Sequence, residues 1–174
     1  MSTEKNYKEL LHGITTFIFD VDGVLTNGII NITTEGEMIR RMNVRDGFAL
    51  RTALDAGYRI AIISGGTNEG VRMRLNGLGI RDIYLGVRNK LEVYERYKEK
   101  YGLTDGEIMY MGDDIPDWEV MRTAGLPCAP NDADSEIQRI AKYISHKKGG
   151  EGCARDIIEQ ILRVQGKWFE PGFS

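Results

Sequence analysis

At 174 residues with 41% hydrophobic content, the chain is long enough for one well-packed domain and short for two. Its 23 basic and 26 acidic residues leave a formal charge of −3, which argues against a general affinity for nucleic acid or anionic membrane and favours small-molecule or protein partners. Apolar runs such as IAII at 60–63 fall far short of a membrane span, the start MSTEKNYKEL lacks a signal-peptide core, and Cys128 and Cys153 make neither a disulfide framework nor a metal cluster. A cytoplasmic protein with reduced thiols is expected.

TFIFD reads as a buried strand, because β-branched and aromatic residues run without alternation and stop at Asp20. GIINI and MIRRMNV flank the polar turn TTEGE and predict a β-hairpin over about 28–44. Phe48, Leu50, Ala53 and Leu54 follow at helical spacing up to Gly57, and YRIAIISGG is a second buried strand that delivers Ser64 into a loop. Residues 68–78 suit a helix, IRDIYLG a short strand, and KLEVYERYKEKYG a charged amphipathic helix stopped by Gly102. EIMYMGDD again ends a strand in carboxylates; a helix at Trp118–Thr123, a strand LPCAP and helices near Ser135–Ala141 and Ala154–Val164 complete the series. The tail, about 165–174, reads as irregular, with Trp168, Phe169 and Phe173 packing on this subunit or reaching another. GGEG at 149–152 lacks the Lys and Ser/Thr of a P-loop and reads as a flexible hinge. The βαβα rhythm predicts an α/β fold: a doubly wound, Rossmann-like, mostly parallel sheet with helices on both faces, whose ligands bind beyond the carboxyl ends of the strands.

Four polar groups fall at those strand ends or nearby loops: Asp20 with Asp22, Ser64 with Gly65, Lys90, and Asp113 with Asp114 and Asp117. Singly, each has an ordinary reading: Asp22 a turn residue, Asp114 or Asp117 a helix cap, Ser64 a turn hydroxyl, Lys90 a solvated lysine. Together they crowd carboxylates around one crevice without His or Cys, a donor set for a hard, oxygen-loving ion, and a site that also admits phosphate favours Mg2+. A carboxylate with an ordinary pKa of about 3.9 is ionised at neutral pH, so Asp20 needs no His to attack phosphorus. Asp22, two residues on, is placed to protonate the departing alkoxide and then take a proton from water. Lys90 and the cation offset repulsion between nucleophile and phosphoryl group, while Ser64 and the Gly65 amide hold its oxygens.

DVDGVLT, the Ser64 strand end, Lys90 and GDDIPD resemble, in order, the four motifs of the haloacid dehalogenase superfamily. The resemblance implies Asp20 as nucleophile, Asp22 as general acid and base, and metal ligation by Asp20, the Asp22 main-chain carbonyl and Asp113, with Asp114 and Asp117 in outer positions. Only 43 residues separate Asp20 from Ser64 and 25 separate Ser64 from Lys90, which leaves no room for a separate cap domain. The chain is then similar to the capless phosphatases that act on 3-deoxy-D-manno-octulosonate 8-phosphate, through NVRDGFALR, the helix with Arg72 and Arg74, and GGEGCARDIIEQILRVQGK. That family implies a homotetramer whose hairpins and tails complete the sites, and contacts to the sugar acid phosphate from Asn43, Val44, Arg45, Asp46, Gly47, Arg51 and Arg74 beside Asp22, Ser64, Gly65 and Lys90. Gly66 stands where the family commonly has Arg. A nine-carbon ketodeoxy sugar phosphate is the alternative substrate, and a noncatalytic partner-binding domain the alternative class.

Overall fold

The computed structural model describes residues 6–171, so Phe173 and the end of the expected tail lie outside the described residues. A short helix, α1 (Tyr7–Leu10), leads into β1 (Thr16–Phe19), whose four residues are all buried. Side chains alternate across that strand: Phe17 and Phe19 enter one apolar cluster and Ile18 the other. Both faces of the strand are covered, which is why its sequence reads as continuously apolar.

The chain then forms β2 (Asn31–Ile32), β3 (Met38–Ile39), α2 (Val44–Asp55), β4 (Arg59–Ile63), α3 (Glu69–Gly77), β5 (Asp82–Tyr84) and α4 (Lys90–Tyr101). It continues through β6 (Ile108–Met111), α5 (Trp118–Thr123), β7 (Leu126–Ala129), α6 (Ser135–Ile140), β8 (Tyr143–Ile144) and α7 (Cys153–Val164). Six strands make one sheet in the order β5-β4-β1-β6-β7-β8, with every pairing parallel. Side chains of α2, α3 and α7 pack on one face and those of α4, α5 and α6 on the other, giving the expected doubly wound α/β architecture. From β1 the chain steps outward to β4 and β5, then returns to β6 on the other side of β1. That reversal opens a crevice beyond the carboxyl end of β1, the place where such sheets bind ligands.

Asparagine side chains start four of the helices, Asn6 capping α1 by accepting from Lys8 N–H at 3.2 Å. Asn43 accepts from the Arg45 and Asp46 amides, Asn68 from Val71 N–H at 3.0 Å, and Asn89 from Glu92 N–H at 3.1 Å. The Asn43 cap corrects the expected extent of the hairpin: Asn43 and Val44, read as the end of a strand, begin α2 instead. The hairpin ladder itself is two residues on each side, Asn31 opposite Ile39 and Ile32 opposite Met38. Its side chains are exposed, with Ile32 at 70%, so no core extends the pairing. The intervals between Asp20 and Ser64 and between Ser64 and Lys90 hold only this hairpin, α2, α3, β4 and β5, and no separate cap.

Candidate active site

Asp20 follows the last residue of β1 and is buried. Its Oδ1 accepts from Val21 N–H at 2.6 Å, and its Oδ2 lies 2.8 Å from Lys90 Nζ. Lys90 is the first residue of α4, which brings a buried ammonium back to the sheet end, where it also meets Asp117 Oδ1 at 2.7 Å. Burial disfavours the Lys90 charge, yet Asp20 and Asp117 outweigh it and hold the ammonium above the usual lysine range. Asp117 uses both oxygens: Oδ1 accepts from Lys90 and from Tyr110 Oη at 2.6 Å, and Oδ2 from Asp113 N–H at 3.1 Å.

Asp113 faces Asp20 from the loop after β6. One oxygen from each of Asp20, Asp113 and Asp117 can be chosen so that all lie within 4.8 Å of one another. Asp117 is already saturated, so it orients the others rather than offering a ligand. Asp113 differs, because its Oδ1 is a buried acceptor with no hydrogen-bond partner. Burial, then Asp117, pushes the Asp20 carboxyl up to about 8 against the pull of Lys90; burial, Asp117 and Asp114 push Asp113 up to about 7. Hard oxygen donors under mutual repulsion, one of them orphaned, fit a divalent cation held by Asp20 and Asp113. Gly23, at φ +86°, keeps the space clear, since a Cβ there would overlap the Asp113 carboxylate.

Ser64 follows β4 and is buried; its Oγ accepts from Gly66 N–H at 3.2 Å. Asp22 lies on the tight turn after β1, where Thr26 Oγ accepts from the amides of Gly23 and Gly28 and the amides of Val24, Leu25 and Thr26 reach Val21 O. Asp22 and Ser64 flank Gly66: a Cβ at that glycine would lie 3.3 Å from Asp22 Oδ2 and 3.6 Å from Ser64 Oγ. The strand ends therefore bring Asp20, Asp113, Lys90 and Asp117 together, with half-buried Asp22 and buried Ser64 meeting beside Gly66. Gly65 is exposed beside Ser64.

The expected sugar contacts scatter. Asn43 caps α2 and donates through Nδ2 to Gly150 O at 3.3 Å. Val44 is exposed, and Arg45 lines a groove of about 640 Å³ with Arg155 and Arg163 of α7. Asp46 is buried, with Oδ1 accepting from Arg155 N–H at 2.9 Å. Gly47 makes room for Arg74, whose Nη2 would stand 2.6 Å from a Cβ there. Arg74 lines a cleft of about 620 Å³ between the hairpin and α3, shared with Arg40, Met38 and Asn68. Arg51 points elsewhere, in an exposed ion pair with Asp55 at 3.0 Å. Arg72 does not line this cleft; it pairs with Glu69 on the cleft's edge and donates to Ile83 O.

GGEG is no flexible hinge. Gly149 and Gly150 pack on the turn after β1 so closely that a Cβ on either would overlap its backbone, and Gly150 N–H donates to Val24 O at 2.9 Å. In the described part of the tail, Trp168 is buried on its own subunit and meets Phe48 edge-on at 6.2 Å, whereas Phe169 is exposed. Two site residues escaped the sequence reading. Tyr110 alternates toward the Asp117 side within an apolar strand, and nothing in IMYM marks its hydroxyl as functional. Arg40 leaves the hairpin to pair with Asp22, Nε to Oδ1 at 2.7 Å and Nη2 to Oδ2 at 3.2 Å; strand alternation separates it from Arg41 but does not say what it faces.

A family model for haloacid dehalogenase-like hydrolases matches residues 67–157. A 3-deoxy-D-manno-octulosonate 8-phosphate phosphatase of Salmonella typhi is 39% identical over 154 residues, covering 88% of this chain and 82% of that protein. The enzyme of the same description from Escherichia coli K12 is 38% identical over the same shares. Among solved structures, that phosphatase from Yersinia pestis superposes with a TM-score of 0.91 at 33% identity, covering 95% of this chain and 89% of its own. The Moraxella catarrhalis phosphatase, in complex with magnesium, phosphate and the sugar acid, superposes with a TM-score of 0.90 at 32% identity, covering 94% of each chain.

Proposed function

We propose that this chain, which belongs to the haloacid dehalogenase-like hydrolases and among them to the 3-deoxy-D-manno-octulosonate 8-phosphate phosphatase family, is a cytoplasmic, magnesium-dependent phosphatase of that eight-carbon ester. The observation that carries the reading is the buried Asp20–Lys90–Asp117 chain, at 2.8 and 2.7 Å, with the orphaned Asp113 oxygen beside it. A noncatalytic descendant has no use for four buried or half-buried ionic groups set against one another.

Asp20 attacks phosphorus through a carboxylate oxygen; the new O–P bond forms as the ester O–P bond breaks, leaving an aspartyl phosphate and the sugar alkoxide. Asp22 gives its proton to that alkoxide oxygen. In the second step Asp22 takes a proton from water, whose oxygen displaces the Asp20 carboxylate from phosphorus and releases inorganic phosphate. Lys90 balances the Asp20 charge throughout, and Ser64 Oγ with the Gly65 N–H hold the nonbridging oxygens. Asp20, the Asp22 carbonyl and Asp113 are the residues to hold Mg2+, which when bound supplies positive charge against the phosphoryl oxygens and keeps the two carboxylates ionised.

The cleft between the hairpin and α3 supports a sugar acid as the leaving group, because it offers the Arg74 guanidinium to an anionic substrate, while Arg40 in its wall is taken up by Asp22 and Met38 O. The site is open on the single chain, and the exposed hairpin supports a homotetramer in which neighbours cover it. Phosphate release tests the reading, with and without Mg2+, from the eight-carbon ester and its nine-carbon analogue, with Asp20→Asn as blank. Magnesium-dependent release preferring the eight-carbon ester is expected. Preference for the nine-carbon ester would move the substrate and keep the chemistry; release from Asp20→Asn at the native rate would overturn the mechanism.

A further inference from the structure

Arg40 behaves unlike the rest of its hairpin. Met38 and Ile39 are about half exposed, yet the Arg40 side chain is 7% exposed, drawn inward to Asp22. It grips both oxygens of that carboxylate at once, through Nε at 2.7 Å and Nη2 at 3.2 Å, and among the described residues Asp22 is its one acidic partner. Its third nitrogen is anchored as well, with Nη1 donating to Met38 O at 3.2 Å. The same carbonyl accepts from Asn68 Nδ2 at 2.9 Å, and Asn68 caps α3. Gly66 completes the arrangement: a Cβ there would stand 3.5 Å from Arg40 Nη2 and 3.3 Å from Asp22 Oδ2, so a longer side chain would compete for the guanidinium's place.

We infer that Arg40 is a positioning residue for proton transfer at the leaving group: its two-point grip fixes the direction of the Asp22 carboxylate, and because it issues from the hairpin, the hairpin's position is transmitted to the reacting centre. The inference rests on the phosphatase reading above. A carboxylate on a turn is otherwise free to rotate about its side-chain torsions, and proton transfer demands hydrogen-bond reach to the ester oxygen. Arg suits the task where Lys does not, since a planar fork sets orientation and an ammonium supplies only charge. Arg40 also keeps the site positive on the side where Asp22 would otherwise repel an anionic substrate.

The leaving group separates positioning from simple anion binding. A sugar alkoxide needs the Asp22 proton, whereas nitrophenolate and acetate depart as stable anions. The ratio kcat/KM is measured for the eight-carbon ester and for p-nitrophenyl or acetyl phosphate, because it reports the barrier from free enzyme up to phosphoryl transfer. Arg40→Ala is expected to lower it about 100-fold for the sugar ester, as loss of a placed general acid does, and less than about tenfold for the other esters. Arg40→Lys keeps the charge without the fork and should recover less than about a tenth of the native sugar-ester value. Gly66→Val, which leaves Arg40 intact but crowds it, should lower the sugar ester selectively in the same sense. Both also carry the comparison if Arg40→Ala does not fold. Equal losses on all esters, or full recovery by Lys, would overturn the positioning role while leaving the phosphatase reading intact. Absence of turnover of every ester by the native chain would overturn both.

Discussion

Asp46 shows how one side chain can be diverted from the surface to the framework. It sits in the first turn of α2, yet its Oδ1 accepts from the Arg155 amide at 2.9 Å, in the first turn of α7. The residue that precedes α7 is Gly152, which has no side chain to cap with, so a carboxylate from another helix serves the orphan amides. The other oxygen, Oδ2, is buried without a partner. Burial pushes this carboxyl up to about 6 from 3.8, against the pull of the Arg155 hydrogen bond and the nearby Gly152 amide. The folded state therefore holds the proton more tightly than the unfolded chain does. That contribution to stability is full below about pH 4 and lost as pH rises through 6, amounting to about 3 kcal/mol at 1.36 kcal/mol per unit. Asp46→Asn keeps the Oδ1 acceptor and removes the titration. Urea unfolding from pH 3 to 7 should show the mutant gaining on the native chain by about 3 kcal/mol across that window, and parallel curves would refute the assignment.

At the scale of elements, the strand ends were legible because β1, β4 and β6 are covered on both faces and so read as unbroken apolar runs ending in polar residues. The helices were legible from their apolar spacing and, at the end of α4, from Gly102 at φ +63°. Asn43 misled the reading, because its capping role depends on the side-chain direction, which a run such as MIRRMNV does not display. At two residues, β8 carries no pattern at all. The site was legible as far as each residue belongs to a strand end. Arg40 and the GGEG turn were not, since each acts on the Asp22 turn from a distant part of the chain. That turn is supported from below by Gly149, where a Cβ would overlap the Gly23 carbonyl and come within 3.0 Å of Thr26 O. Backbone cannot swing aside as a side chain does, so Gly149→Ala must displace either the turn or the start of α7. A stability loss of about 1–3 kcal/mol is expected, as for other overpacked sites, with phosphate release falling at least about tenfold as Asp22 moves. Urea unfolding and phosphate release on the same preparation check it, and native values for both would show that the turn tolerates the shift.

For the whole molecule, the hairpin is the feature a single chain does not explain. Ile29, Ile32, Met38 and Ile39 are 61, 70, 50 and 48% exposed, and on α2 Val44 and Phe48 are exposed as well, at 75 and 52%. A two-stranded ladder of two residues per strand is too small to be stable by itself, and isolated hairpins are marginal in water. Packing against copies of the same hairpin would bury these side chains, brace the ladder and hold Arg40 over Asp22. Assembly and catalysis would then rise and fall together. Light scattering at assay concentration should give about four times the 19.6 kDa chain mass for the native protein. Ile32→Lys places a charge at the most exposed apolar position of the ladder, where burying it unpaired is costly. It should yield smaller species and lower the rate on the sugar ester in proportion to the tetramer lost, most steeply at low protein concentration. A native chain that is monomeric and fully active would remove the shared cover altogether, and would require the hairpin to be held by contacts within one subunit.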